Sequence, residues 1–148
     1  MEPYAILERA ANLARDQRRS GKSTVQLVAE SGFLENPSAS SQRRLERYFA
    51  AHPQVIEDWV AYSEDQRCSG AWYLARRGDS YFLGRSEFDR GRRFRLASAA
   101  CAAFVYHQLE FCYQMIAADL KRPDFPRPKN KSRYANLIRE LRAGQPKR

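Results

Sequence analysis

The sequence has few of the residues that build metal sites and disulfide frameworks. It contains two histidines and three cysteines (Cys68, Cys101 and Cys112), and the cysteines have no C-x-x-C spacing. An odd number of cysteines without that spacing argues against a zinc site and a disulfide framework. No apolar run approaches the roughly 20 residues of a membrane span, and charges interrupt the N-terminus too often for a secretory signal. We therefore expect a reducing bacterial cytoplasm, no cofactor, no metal and no membrane association.

Negative charge is scarce in the second half of the chain. Residues 67–148 carry seven Asp/Glu against eighteen Lys/Arg, whereas residues 1–66 carry ten against eight. The net charge of +9 is therefore divided into −2 and +11. A codon bias can explain why 21 of the 26 basic residues are Arg, but it does not explain an excess confined to one half. Because polarised charge selects the partners that approach a protein, this asymmetry indicates binding more than catalysis.

The first half of the chain is predicted to be helical. With 148 residues, the chain has the commonest length of one compact domain, so we expect a single domain over residues 1–148. Apolar residues recur at helical spacing over residues 3–19. Ser23 or Thr24 is expected to cap a second helix, which ends at Ser31-Gly32. A third helix is predicted over residues 42–51, and Pro53 is expected to open a fourth.

The hydrophobic period changes after Gly70 and predicts a small β-meander. The segments expected to form its three antiparallel strands are residues 72–75, 81–83 and 93–96. In the third segment, charged and apolar residues alternate. That alternation places Phe94 and Leu96 on the inner face and Arg93 and Arg95 on the outer face.

A long central helix and a C-terminal helix complete the predicted α+β fold. Residues 97–120 are apolar around most of the helix circumference, which is typical of a central helix. Its predicted seam consists of Ala97, Cys101, Phe104, Gln108, Phe111 and Met115. Three prolines over residues 122–128 predict an extended strap, and Ser132 is expected to cap the last helix. The predicted architecture is an N-terminal helical layer, a three-stranded antiparallel meander, a long central helix and a C-terminal helix.

Two segments resemble catalytic motifs without meeting their requirements. Residues 19–24 (Arg-Ser-Gly-Lys-Ser-Thr) match the end of a P-loop, but Asp16 stands where that motif needs a glycine. A helix end followed by a helix cap explains them better. His107 and Glu110 lie three residues apart on the long helix but have no further ligands or nucleophile. We therefore expect His107 to be a hydrogen-bonded residue of a mostly buried helix, and we expect no enzymatic activity.

Acidic residues precede the predicted meander, and basic residues lie within it. An acidic patch around Trp59 is interpreted as a solvated helix face or as a counter-charge for the meander; it consists of Glu57, Asp58, Glu64 and Asp65. Seven arginines lie on or between the strands: Arg76, Arg77, Arg85, Arg90, Arg92, Arg93 and Arg95. Guanidinium groups bind carboxylates and phosphates through paired hydrogen bonds.

We predict that these arginines form a partner-binding surface. The residues expected to contact the partner are Arg76, Arg77, Arg90, Arg92, Arg93 and Arg95, with Trp72 as a candidate anchor. Two alternatives remain open. The arginines can instead protect the edges of a solvated sheet, or Tyr73 and Phe82 can add base stacking for single-stranded nucleic acid.

Residues 55–115 also resemble small bacterial immunity-type proteins, which are encoded beside toxins. The resemblance lies in the segments Asp58–Arg67, Ser69–Leu74, Tyr81–Gly84 and Ala100–Val105. In this family a helix ends in a charged Ser-Glu-Asp stretch, a short aromatic meander follows, and a Cys-Ala-x-Phe helix packs on it.

The resemblance implies a cytoplasmic protein that neutralises a cognate toxin by direct binding and has no catalytic residues. Many members that block nucleases are acidic because they mimic nucleic acid. The net charge of +11 in residues 67–148 departs from that pattern and argues against a nuclease target. A protein partner with an acidic surface is therefore the leading expectation, and a nucleic acid bound by the same basic face is the alternative.

Overall fold

Within the residues that the computed structural model describes, namely 1–65, 72–85 and 91–120, six α-helices and a three-stranded antiparallel sheet form the predicted α+β fold. The helices are α1 (Pro3–Ala11), α2 (Leu13–Ser20), α3 (Thr24–Ser31), α4 (Gln42–Ala51), α5 (Pro53–Asp65) and α6 (Ala97–Leu120). The strands are β1 (Tyr73–Arg77), β2 (Ser80–Gly84) and β3 (Arg92–Phe94). The predicted strap and C-terminal helix lie outside the described residues. None of the described helices is long and apolar enough to cross a membrane.

Asn12 divides the helix that the sequence predicts over residues 3–19. Its side-chain amide donates to the carbonyl oxygen of Glu8 at 2.8 Å and to the hydroxyl oxygen of Tyr48 at 3.0 Å. Asparagine side chains compete with the helical backbone for such hydrogen bonds. The result is a local break between α1 and α2 that also ties this junction to α4.

Residues 19–24 form the predicted helix end and helix cap. Gly21 follows α2 in the left-handed conformation, with φ of +69°, where glycine carries no penalty from a Cβ atom. The hydroxyl of Ser23 then accepts a hydrogen bond from the backbone N–H of Gln26 at 3.2 Å, which caps α3.

Helix α6 lies at the centre of the protein. The six consecutive residues from Ala100 to Val105 are all at most 1% exposed, and six successive positions cover the whole helix circumference. In the following turns of α6 the helix is buried along one side, at Leu109, Cys112 and Ile116. The predicted seam was therefore wrong at its far end, because Phe111 and Met115 lie outside this stripe and are 45% and 40% exposed.

Trp59 connects the N-terminal helices to α6. It is fully buried, and its indole N–H donates to the carbonyl oxygen of Ala11 at 2.7 Å. Its ring centroid lies 5.2 Å from that of Tyr62 and 6.0 Å from that of Phe104, both with edge-to-face geometry. Aromatic contacts of this kind add to the free energy gained from burial alone. One side chain thus joins α1, α5 and α6.

The sheet has an inner face on the helices and an outer face. Its order is β1-β2-β3, and Leu74 pairs with Leu83 while Tyr81 pairs with Phe94. These four residues contact the hydrophobic core, so they define the inner face. The prediction that Leu96 points inward was wrong, since this side chain is 63% exposed. Strand β3 ends two residues earlier, and the alternation of a strand does not extend beyond it.

Candidate partner-binding surface

The strand register separates the predicted arginines by face. Five of them are exposed, namely Arg76, Arg77, Arg92, Arg93 and Arg95, and Arg90 lies outside the described residues. Alternate residues of a strand point to opposite faces. By this alternation, Arg76 belongs to the same face as Leu74, and Arg92 belongs to the same face as its partner Leu83, so both have the inner parity. Arg77 and Arg93 occupy the positions in between and have the outer parity. Arg95 follows the end of β3.

Arg76 ties the sheet to helix α5. Its guanidinium donates to the hydroxyl oxygen of Tyr81 at 2.7 and 2.9 Å and forms an ion pair with Glu57. The hydrogen bond to Tyr81, followed by that to Glu57, raises the pKa of Arg76 above its ordinary value. Glu57 therefore acts as a counter-charge for the meander, which was one of the two interpretations of the acidic patch. Asp58 instead pairs with Arg15 and Arg18 of α2.

Arg77 and Arg93, which we call the outer arginine pair, lie on either side of one aromatic ring. The guanidinium carbon of Arg77 is 4.5 Å from the centroid of Phe82. Phe82 is in turn the register partner of Arg93 on the neighbouring strand. No carboxylate of the described residues forms an ion pair with either arginine. Two cationic groups and a half-buried ring therefore share the outer face.

Trp72 belongs to an aromatic contact with α6. It is half-buried, and its ring lies parallel to that of His107, with 4.2 Å between the centroids. The guanidinium carbon of Arg85 is 5.1 Å from the same indole. Trp72, the predicted anchor, is thus already part of the packing between the sheet and α6. Arg92 packs on a different ring, with its guanidinium carbon 5.0 Å from the centroid of Phe94.

The environment of His107 disfavours its protonation. Burial lowers the pKa of His107; Glu110 opposes this shift, and the nearby Arg85 and Arg92 reinforce it. The carboxylate of Glu110 hydrogen-bonds Tyr106 and raises the pKa of that phenol. His107 therefore serves as a neutral ring that stacks on Trp72.

We expect this neutral ring to make the protein less stable in mild acid. Because the pKa of His107 is lower in the folded protein than in the unfolded chain, the unfolded chain binds the proton more readily. The free energy of unfolding therefore decreases as the pH falls through 6.5, the ordinary pKa of histidine. The variant His107→Phe keeps a stacking ring but has no proton to bind. Urea unfolding at about pH 7.5 and about pH 5.5 should show a smaller acid-induced loss for the variant than for the wild type. Equal losses in the two proteins would contradict this assignment.

The residues that resemble a P-loop line a groove between α2, the start of α3 and α5. The groove has a volume of about 450 Å³, and its lining includes Arg18, Lys22, Asp58 and Tyr62. Its cations are already paired, since Lys22 lies 3.0 Å from Glu30 and Arg18 lies 2.8 Å from Asp58. Among the described residues, the groove therefore offers no excess positive charge for a phosphate.

The stacking of arginines on aromatic rings was not predicted from the sequence. Arg92 and Phe94 are two residues apart on one strand, and in the sequence this spacing indicates that the two side chains share a face. The pair Arg77 and Phe82 depends on strand register, so the sequence contains no comparable signal for it. Stacking restricts a guanidinium side chain and leaves its N–H groups directed away from the ring.

The described residues contain no group of three or more His, Cys, Asp or Glu side chains that could hold a metal ion. The thiols of Cys101 and Cys112 are buried. Burial raises both pKa values, that of Cys112 to about 11, so both behave as small core residues.

No family model, curated protein or solved structure matches the chain.

Proposed function

We propose that this chain is a non-enzymatic binding protein of the immunity or antitoxin kind, which neutralises a cognate bacterial toxin in the cytoplasm. The partner presents an acidic surface, and the arginines of the small sheet bind it. Two observations support the proposal: the resemblance of residues 55–115 to immunity-type proteins and the exposed arginines of the sheet.

The observation that carries the proposal is exposed positive charge on the small sheet. Arg77, Arg92, Arg93 and Arg95 are exposed, and within the described residues no acidic side chain pairs with them. Such a field accelerates the approach of an acidic partner. Arg77 and Arg92 also rest on aromatic rings, so they lose less conformational freedom when they bind.

Nucleic acid is the second candidate partner because a half-exposed Phe82 ring lies between the outer arginines. Aromatic rings beside cations stack single-stranded bases. The two candidates separate in a titration with short RNA and DNA at about 50 and about 200 mM salt. Binding to phosphates would be tight at the lower salt concentration and would weaken steeply at the higher one. A binder of acidic proteins should show little binding under either condition.

The proposal is tested by expressing the reading frames that flank this gene, each alone and together with this chain. We expect one frame to arrest growth and this chain to relieve the arrest. Relief should require physical association, which is measured with the purified toxin by surface plasmon resonance. Failure of every flanking frame to cause an arrest that this chain relieves would refute the immunity function.

We expect the double substitution Arg92→Glu, Arg93→Glu to slow association with that toxin by roughly tenfold at low salt. The reason is that four units of charge change on the approaching surface. The matched control is Arg43→Glu, Arg47→Glu on α4, where both side chains are exposed and the net charge changes equally. An equal slowing by both variants would show that total charge, and not this surface, controls association.

A further inference from the structure

We propose that the outer arginine pair, Arg77 and Arg93, recognises two acidic side chains at alternate positions of an extended segment in the partner. This inference rests on the proposed function and specifies which part of the arginine-rich sheet contacts the toxin. It follows from the strand register, from the ring of Phe82, and from the partners already held by the inner arginines.

The register brings the two outer cations together around one ring. Phe82 is directly opposite Arg93, and Arg77 lies on the strand beyond. Arg77 does not extend away from the sheet, because its guanidinium carbon rests 4.5 Å from the Phe82 centroid. Neighbouring strands are about 4.8 Å apart, so the guanidinium group of Arg77, which rests on the ring of Phe82, lies about one strand spacing from the strand that carries Arg93.

Two carboxylates on one side of an extended chain suit this arrangement. Residues i and i+2 of a strand point to the same side and lie about 7 Å apart. Carboxylates at those two positions can each face one guanidinium and form charge-assisted hydrogen bonds with it. Carboxylates at i and i+1 point to opposite sides, so only one of them can reach the outer face.

The inner arginines do not offer the same site. Arg76 already donates to Tyr81 and pairs with Glu57. Arg92 has the inner parity and packs on Phe94 near His107. The outer face is already buried at Tyr73 and Ala75. A segment lying over Phe82 would therefore contact Arg77 and Arg93 and leave Arg76 and Arg92 untouched.

The test uses the full chain and two acetylated octapeptides of identical composition. Both peptides have two Glu in a background of Thr: in one, the alternating peptide, the Glu residues stand at positions 3 and 5, and in the other they stand at positions 3 and 4. We expect the alternating peptide to bind at least fivefold more tightly in fluorescence anisotropy. Arg77→Gln and Arg93→Gln should each weaken its binding at least threefold, whereas Arg43→Gln, the matched control at an exposed position of α4, should change it less than twofold. Circular dichroism verifies that each variant is folded.

Equal affinity for the two peptides, or equal losses for Arg43→Gln and Arg93→Gln, would overturn the inference. Tighter binding of an eight-nucleotide poly-dT than of either peptide would overturn it in favour of a phosphate ligand. The proposed function fails separately, if no flanking reading frame yields a toxin that this chain neutralises. If the chain neutralises a toxin but the variants of Arg77 and Arg93 bind the alternating peptide as tightly as the control, only the inference about the outer arginine pair is lost.

Discussion

Replacing Trp59 by alanine is expected to lower the free energy of unfolding by about 4 kcal/mol, the range of large aromatic deletions in protein cores. Trp59 is fully buried and contacts both Tyr62 and Phe104. The substitution creates a cavity where α1, α5 and α6 meet. It also leaves the carbonyl oxygen of Ala11 without the indole N–H that now lies 2.7 Å away. Urea unfolding followed by circular dichroism measures the loss.

The control is Trp59→Phe, which keeps an aromatic ring in the core but removes the N–H donor. We expect it to cost about half as much as the alanine variant, because a smaller cavity and one unpaired carbonyl remain. A cost for Trp59→Ala below about 1.5 kcal/mol, the scale of a small core truncation, would show that Trp59 does not join the three helices as described. Equal costs for the two variants would assign the effect to the hydrogen bond alone.

Replacing Gly91 by alanine is expected to displace β3 and to remove the outer arginine pair. Gly91 has φ of +51°, and a Cβ atom there would lie 2.3 Å from the carbonyl oxygen of Leu83 and 2.6 Å from the ring of Phe82. A left-handed L-residue costs roughly 1–2 kcal/mol, and the contact with a backbone oxygen adds to that cost. We expect a total destabilisation of about 3 kcal/mol and at least tenfold weaker binding of the alternating peptide, because Arg93 is two residues away.

Gly78→Ala is the matched control for this variant. Gly78 also has a positive φ, of +60°, but within the described residues no atom beyond its two chain neighbours lies within 4 Å of the Cβ position. The control should therefore show the conformational cost of about 1 kcal/mol alone and should bind the peptide normally. Thermal unfolding and fluorescence anisotropy of the two variants supply the comparison. If both variants lose the same stability and the same affinity, close packing at Gly91 does not hold β3 in place.

Local rules predicted the helices and strands well. Ser23 caps α3 and Gly21 ends α2, since capping depends on a few residues close in sequence. Predictions failed where a distant contact or an element boundary decided the outcome. Asn12 interrupts a helical pattern partly through Tyr48, which lies 36 residues away, and Leu96 follows the end of β3 instead of continuing it.

The sequence by itself determined the fold class, the helix boundaries marked by caps and the concentration of positive charge after residue 66, because each depends on neighbouring residues or on composition. Only the tertiary structure decided which arginines share a face of the sheet. Pairing between strands places Arg77 and Arg93 on one face and Arg76 on the other beside Glu57. A shift of one residue in that pairing would reverse the faces, and no local pattern in the sequence encodes the register.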